Sequence, residues 1–254
     1  MKKLSILYFF GPLLILSLAL VIFSGPAKAY VYDDFTSTGI DPSKWTDYGP
    51  DTGYFSQLGT GNHLQFNDPS GGHTDSLESV ATVNGSFFVS MQYEDYSASP
   101  KTTATTPFSG SSVELWIGAP GNSGIGVHLY EYTNYTQQGI WALINDLGNK
   151  THVGNNYFST SGNTSGWLGI DYNSITGLVT LYYDVGSGWT EFATCNPGFT
   201  STPLNFGIEG YDPDGNSLSF QVDQVDLVPL PPSLFLLGSG LLGMGALGWR
   251  RQQG

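Results

Sequence analysis

The sequence predicts an all-β domain, a sandwich or a barrel, set between two apolar ends. Between Tyr30 and Val228, β-branched and aromatic runs alternate with Gly, Asn, Asp, Ser and Pro roughly every eight to twelve residues. Over the same stretch no apolar run keeps a helical period for more than two turns. Short strands with frequent turn signals are what two packed sheets or a closed barrel require. The stretch holds about 200 residues, enough for one domain with a sizeable core. No internal repeat or linker divides it, and the low-complexity run Lys101 to Ser112 reads as a surface loop.

In chain order, Lys2 and Lys3 precede an apolar run from Leu4 to Phe23 and the small-residue site Ala27-Lys28-Ala29. This is the layout of a secretory signal peptide over residues 1–29, cut by signal peptidase before Tyr30. An uncleaved anchor is the other reading of so long a run; Gly11-Pro12 and the Ala-x-Ala site argue for cleavage. An exported β domain over residues 30–227 follows.

Several of its strands can be read by face, because alternate residues of a strand point to opposite sides. Phe87, Val89, Met91 and Tyr93 fall on one side, and Phe88, Ser90, Gln92 and Glu94 on the other. Val113, Leu115 and Ile117 point inward, which turns Glu114 and Trp116 outward. Val127 and Leu129 alternate with His128, Tyr130 and Tyr132; Ile140, Ala142 and Ile144 alternate with Trp141, Leu143 and Asn145. If these strands are neighbours, they share one core face and present a second face of rings, carboxylates and amides. Later strands are expected at Trp167–Tyr172, Leu178–Tyr183, Trp189–Phe192, Leu204–Glu209 and Leu218–Leu227, with turns at Asn173–Gly177 and Gly186–Gly188.

Charge excludes one class of partner. Between the two ends the basic residues are Lys44, Lys101 and Lys150, against all 21 acidic residues of the chain. Nothing there can neutralise phosphates, so nucleic acid is not a partner. The lone Cys195 has no internal disulfide partner and reads as a small buried hydrophobe.

At the far end, Val228-Pro229-Leu230-Pro231-Pro232 leads into an uncharged run from Ser233 to Trp249, then Arg250 and Arg251. As a helix, residues 233–249 would measure roughly 25 Å, slightly short of the hydrocarbon core of a bilayer at roughly 30 Å. Arg250 and Arg251 favour a cytoplasmic C-terminus, which leaves the β domain outside. The prolines hold an extended strip at the membrane surface. This tail, residues 228–254, resembles the PEP-CTERM sorting signal, with Leu230 where that family usually has glutamate. The resemblance implies processing by exosortase in a Gram-negative bacterium, with transient anchoring in the inner membrane before release to the cell surface or exterior. An ordinary C-terminal anchor is the alternative.

A second resemblance covers most of the β domain. Asp33-Asp34-Phe35 with Asp41-Pro42-Ser43-Lys44-Trp45, the closing strand Phe220–Val225, and the Gly177–Tyr183 hairpin with Gly188-Trp189 look like the concanavalin A-like lectin/glucanase jelly rolls. That implies a jelly-roll β-sandwich whose first and last strands pair. No cofactor is called for, although the resemblance admits calcium between Asp33 or Asp34 and Asp223 or Asp226. The Glu-x-Asp-x-x-Glu motif of the enzymatic members is absent. Glu94 and Glu114 could still meet across neighbouring strands as a retaining pair, about 5 Å apart. His63, His73, His128 and His152 show no metal-ligand spacing and read as surface or loop residues.

Gln92, Glu94, Glu114, Trp116, His128, Tyr130, Tyr132, Trp141 and Asn145 are the candidate ligand-binding set. Sugars stack their C–H faces on rings while amides and carboxylates take the hydroxyls; the same rings could instead cover the sheet. The expected function is noncatalytic carbohydrate binding, or a structural part in a surface or exopolysaccharide matrix. A glycoside hydrolase or lyase with an unrecognised carboxylate pair is the alternative.

Overall fold

The computed structural model describes residues 29–58, 61–98, 111–119, 123–131, 138–146, 149–158, 164–199, 203–212 and 217–230. Ala27 and the rest of the signal segment up to Lys28, Pro231, Pro232, the run 233–249 and the Arg250-Arg251 pair lie outside these residues. Among the described residues every regular element is a strand, and no helix is long and apolar enough to cross a membrane. One compact unit spans Ala29–Val228.

The described strands are β1 (Tyr30–Asp33), β2 (Trp45–Asp47), β3 (Phe55–Leu58), β4 (His63–Asp68), β5 (Thr74–Ser79), β6 (Phe87–Ala98), β7 (Ser112–Ala119), β8 (Ser123–Glu131), β9 (Gln138–Asp146), β10 (Asn149–Phe158), β11 (Gly166–Asn173), β12 (Leu178–Asp184), β13 (Thr190–Cys195), β14 (Asn205–Tyr211) and β15 (Leu218–Pro229). They form two antiparallel sheets. The first runs β13-β12-β11-β6-β15-β4-β3, with β1 also on β15; the second runs β10-β9-β8-β7-β14-β5-β2. The closing strand β15 is long enough to hold two partners on one edge. Leu218–Val222 pairs with β4, and Val225–Leu227 pairs with the opening strand β1.

Period 2 gives each strand one buried side, and the two buried sides meet as a single core. Phe87, Val89, Met91 and Tyr93 are fully buried, as are Val113, Leu115, Ile117, Val127, Leu129, Ile140 and Ala142. Past Tyr93 the alternation of β6 breaks at Asp95, whose φ of 49° is tolerated by aspartate, and Tyr96 becomes the buried residue. Edge-on ring contacts join the sheets: Tyr32 of β1 lies 5.3 Å from Trp45 of β2 and 4.8 Å from Phe206 of β14.

One expectation fails at this level. β6 belongs to the first sheet and β7, β8 and β9 to the second, so they are not neighbours with a shared outer face. Their buried sides oppose each other across the core. Ser111 and Ser112, read as the end of a surface loop, are buried at the start of β7.

The Asp-Phe and Pro-x-x-Trp segments turn out to be two halves of a buried clamp. Asp33 accepts hydrogen bonds from Lys44 Nζ (3.0 Å), Trp45 Nε1 (2.7 Å) and the Phe35 amide (3.1 Å). The Asp41 carbonyl accepts from the Lys44 and Trp45 amides, which forms the turn that delivers both side chains. Asp75 also points into the core side, its Oδ2 accepting from the Tyr54 and Phe55 amides at 2.9 and 3.2 Å. Burial, reinforced by the neighbouring Asp47, pushes the Asp75 carboxyl up to about 6. Cys195 is half-buried on the edge strand β13 and packs against the core; burial pushes its thiol up to about 11.

Candidate functional site on the outer face of the second sheet

The outer face of the second sheet is built from residues that alternate with the core set. In the middle of that face, Glu114 of β7 lies opposite His128 of β8 on one side and Glu209 of β14 on the other. Trp116, two residues on, lies opposite Gly126 and Gly207. Those glycines decide where the larger side chains go.

A Cβ on Gly126 would fall on Glu114 Oε1 and stand 2.5 Å from its Cδ, so the glutamate leans across β8 where a side chain is missing. There its Oε1 reaches 3.2 Å from His128 Nε2. Both groups are buried. On the other side a Cβ on Gly207 would overlap Trp116 Cε2 and Cζ2, so the indole lies across β14. Its Nε1–H donates to Ser76 Oγ of β5 at 3.2 Å, which fixes the ring's far edge. The indole remains half-buried.

Glu78 of β5 pairs with Gly207 and is half-buried; burial raises its carboxyl above the usual range. The face thus combines one indole held across β14 with three glutamates. Chemically it offers a stacking surface and hydroxyl acceptors, and Glu114 and Glu209 stand directly across a strand pair from each other.

The sequence-selected residues divide between two faces. Glu114, Trp116 and His128 come together here. By register Trp141 pairs with His128, Tyr130 with Ser112 and Gly139, and Asn145 with Gly124; their side chains lie outside what the structure describes, as does the whole of Tyr132. Gln92 and Glu94 are on β6 in the other sheet, where Gln92 Nε2 donates to Glu94 Oε1 at 3.0 Å. A Glu94–Glu114 pair is therefore ruled out. Glu209 and Ser76 were not selected. The alternation of Phe206 and Ile208 with Glu209 marks Glu209 as outward, but nothing in the sequence pairs β14 with β7.

Of the histidines, His128 departs from the surface reading; His63 and His73 are part-exposed, and the side chain of His152 lies outside the described residues. His63 Nδ1 contacts Asp223 at 2.9 Å, His73 Nδ1 contacts Asp68 at 3.1 Å, and His128 is buried on Glu114. The four aspartates considered for calcium are engaged separately. Asp33 holds the clamp, Asp34 accepts from Thr36, Asp223 meets His63 and Asp226 accepts from Gln224. They do not fit one shared cation, and among the described residues no group of three or more acidic, His or Cys side chains is arranged to hold a metal.

No family model and no curated protein matches the chain. Solved structures do match it. A legume lectin-like domain from Entamoeba histolytica is 14% identical with a TM-score of 0.53, covering 74% of this chain and 91% of that one. The fold is a concanavalin A-like jelly roll. The VIP36 exoplasmic/lumenal domain in its Ca2+/Man3GlcNAc-bound form is 13% identical with a TM-score of 0.51, covering 74% of this chain and 84% of that one. A xylan β-1,4-xylosidase from Bacillus halodurans is 13% identical with a TM-score of 0.59, over 81% of this chain but 40% of the enzyme. Identities this low establish the jelly roll and leave the ligand to the site itself.

Proposed function

We propose that the chain is an exported, noncatalytic carbohydrate-binding jelly roll whose second-sheet outer face holds a neutral glycan against Trp116. The observation that carries this reading is the indole seated over Gly207 and tied at Nε1 to Ser76, beside the Glu114 carboxylate over Gly126. An indole gives a sugar's C–H surface a ring to stack on, and glutamates accept its hydroxyls. The lectin-like neighbours support the reading, and the acidic balance of the domain disfavours anionic polymers. The expected result on a glycan array is binding of neutral glycans that Trp116→Ala removes without unfolding; a folded protein that binds no glycan overturns the proposal. Adding EDTA to the same array tests whether a cation contributes, as in the Ca2+-bound VIP36 neighbour.

The opposed Glu114 and Glu209 favour one second reading, glycoside hydrolysis. Its test is release of reducing sugar that Glu114→Gln or Glu209→Gln abolishes. Under either reading we propose export through residues 1–29, transient anchoring through 233–249 and exosortase processing near Pro231. Mass spectrometry of surface-localised protein should find no residues beyond about Pro232; an intact Arg250-Arg251 end makes the tail a plain anchor.

A further inference from the structure

The outer face of the first sheet carries a second group of rings, built by the same device. β11 crosses that face with Trp167, Gly169 and Asp171 outward, between Gln92, Ser90 and Phe88 of β6 and Asp184, Tyr182 and Thr180 of β12. A Cβ on Gly169 would stand 2.9 Å from both Phe88 Cζ and Trp189 Cζ3, so the glycine leaves a notch that two rings fill.

Trp189 reaches the notch through the turn after β12. The Asp184 carboxylate accepts from the Gly186 and Gly188 amides at 2.7 and 2.9 Å, and both glycines have φ near the left-handed side, 100° and 97°. The chain doubles back and sets the indole on the sheet. Trp189 meets Phe88 edge-on at 5.6 Å and Trp167 at 6.3 Å, and Phe88 meets Tyr182 at 6.1 Å. With two rings against it, Trp189 is still 46% exposed.

The polar groups around these rings are acceptors. Glu94 stands at one end of the patch, Asp184 and Glu191 beside β12, and Asp171 at the floor, where its Oδ1 has no hydrogen-bond partner. None of the chain's lysines or arginines lies on β6, β11, β12 or β13. A ligand that suits this face supplies hydroxyl donors and flat apolar C–H surfaces and carries no negative charge.

We propose that this face is a second glycan-binding surface, which takes a neutral polysaccharide chain across Trp189 and Trp167. It is independent of the Trp116 face, because the two lie on opposite outer surfaces of the sandwich. Two such faces let one molecule bridge two polysaccharide chains or grip one particle twice, which raises avidity without a new contact.

The test is native affinity electrophoresis of the full-length protein in detergent, with laminarin or arabinoxylan as neutral probes and polygalacturonate as the anionic control. The variants are Trp116→Ala, Trp189→Ala, Trp167→Ala and the Trp116→Ala/Trp189→Ala double variant. In the Trp116→Ala background Trp189→Ala should weaken retardation by a neutral probe about tenfold, the effect of losing one stacking ring. Polygalacturonate should retard none of them. Loss of binding in Trp189→Ala alongside full binding in Trp116→Ala would sustain this face and remove the first one. Retardation unchanged by Trp189→Ala and Trp167→Ala in both backgrounds overturns the proposal. So does a Trp189→Ala change confined to sedimentation behaviour, which would make the patch a contact between two copies. Trp189 is exposed, so its replacement leaves the core intact, and an unchanged thermal midpoint checks this.

Discussion

Gly126→Ala isolates the device that shapes the second-sheet face. The new methyl would displace Glu114 Oε1 and stand 2.5 and 2.9 Å from its Cδ and Cγ. All three atoms belong to the end of a flexible side chain, so the strand stays and the carboxylate leaves. What is lost is the 3.2 Å contact to the buried His128 Nε2, at about 1–3 kcal/mol for a buried polar group deprived of its partner. Alanine in place of glycine in a strand returns about 0.5–1 kcal/mol. The expected net destabilisation is therefore about 0–2.5 kcal/mol in urea unfolding followed by tryptophan fluorescence. In a Glu114→Ala background there is nothing to displace, and Gly126→Ala should become neutral or stabilising by about 0.5–1 kcal/mol. Equal destabilisation in both backgrounds would show that the glycine is not there to make room for Glu114.

Two further outcomes follow from buried carboxylates. Asp33→Ala removes the acceptor of the Trp45 indole N–H and the partner of Lys44; because Lys44 can still reach water, the loss should be about 2–4 kcal/mol by denaturant unfolding. An effect below about 0.5 kcal/mol would reduce the clamp to a surface contact. Asp75 has a folded pKa raised to about 6 from 3.8, chiefly by burial, so the folded state holds its proton more tightly than the unfolded chain. That contribution is fully present below about pH 4 and lost as pH rises through about 6. Its ceiling is about 3 kcal/mol, reduced to about 1–2 kcal/mol by solvent screening around Asp47. Asp75→Asn should remove this part of the decline in stability between pH 4 and 6.5, and an unaltered profile would place the proton elsewhere.

Much of the fold is legible in alternation alone. The inward sets of β6 to β9 and the positions of β11 to β15 follow from period 2 and turn chemistry, and the opening and closing motifs do pair as β1 and β15. Alternation says that a strand has a buried side; it does not say which sheet supplies the cover. That is why Glu94 and Glu114 appeared to share a face and do not. β5 is hidden for a different reason: two of its inward positions are Asp75 and Ser79, which survive in the core because the Tyr54, Phe55 and Phe206 amides donate to them. β10 is hidden by its composition, Asn149 to Asn156 being mostly polar on the edge of the second sheet.

The glycines were the least legible part of the site and carry the most information about it. A ring on the outer face of a sheet has open space above it and can stand upright beside any neighbour. A glycine is needed where a ring leans over the neighbouring strand, as Trp116 does over Gly207 and as Phe88 and Trp189 do where they meet at Gly169. A ring seated in this way is held at a fixed place on the face, and stacking against a ligand depends on that placement. The strand glycines thus mark where the outer-face rings and Glu114 are seated, and a side chain placed there would move the groups that a ligand on these faces has to meet.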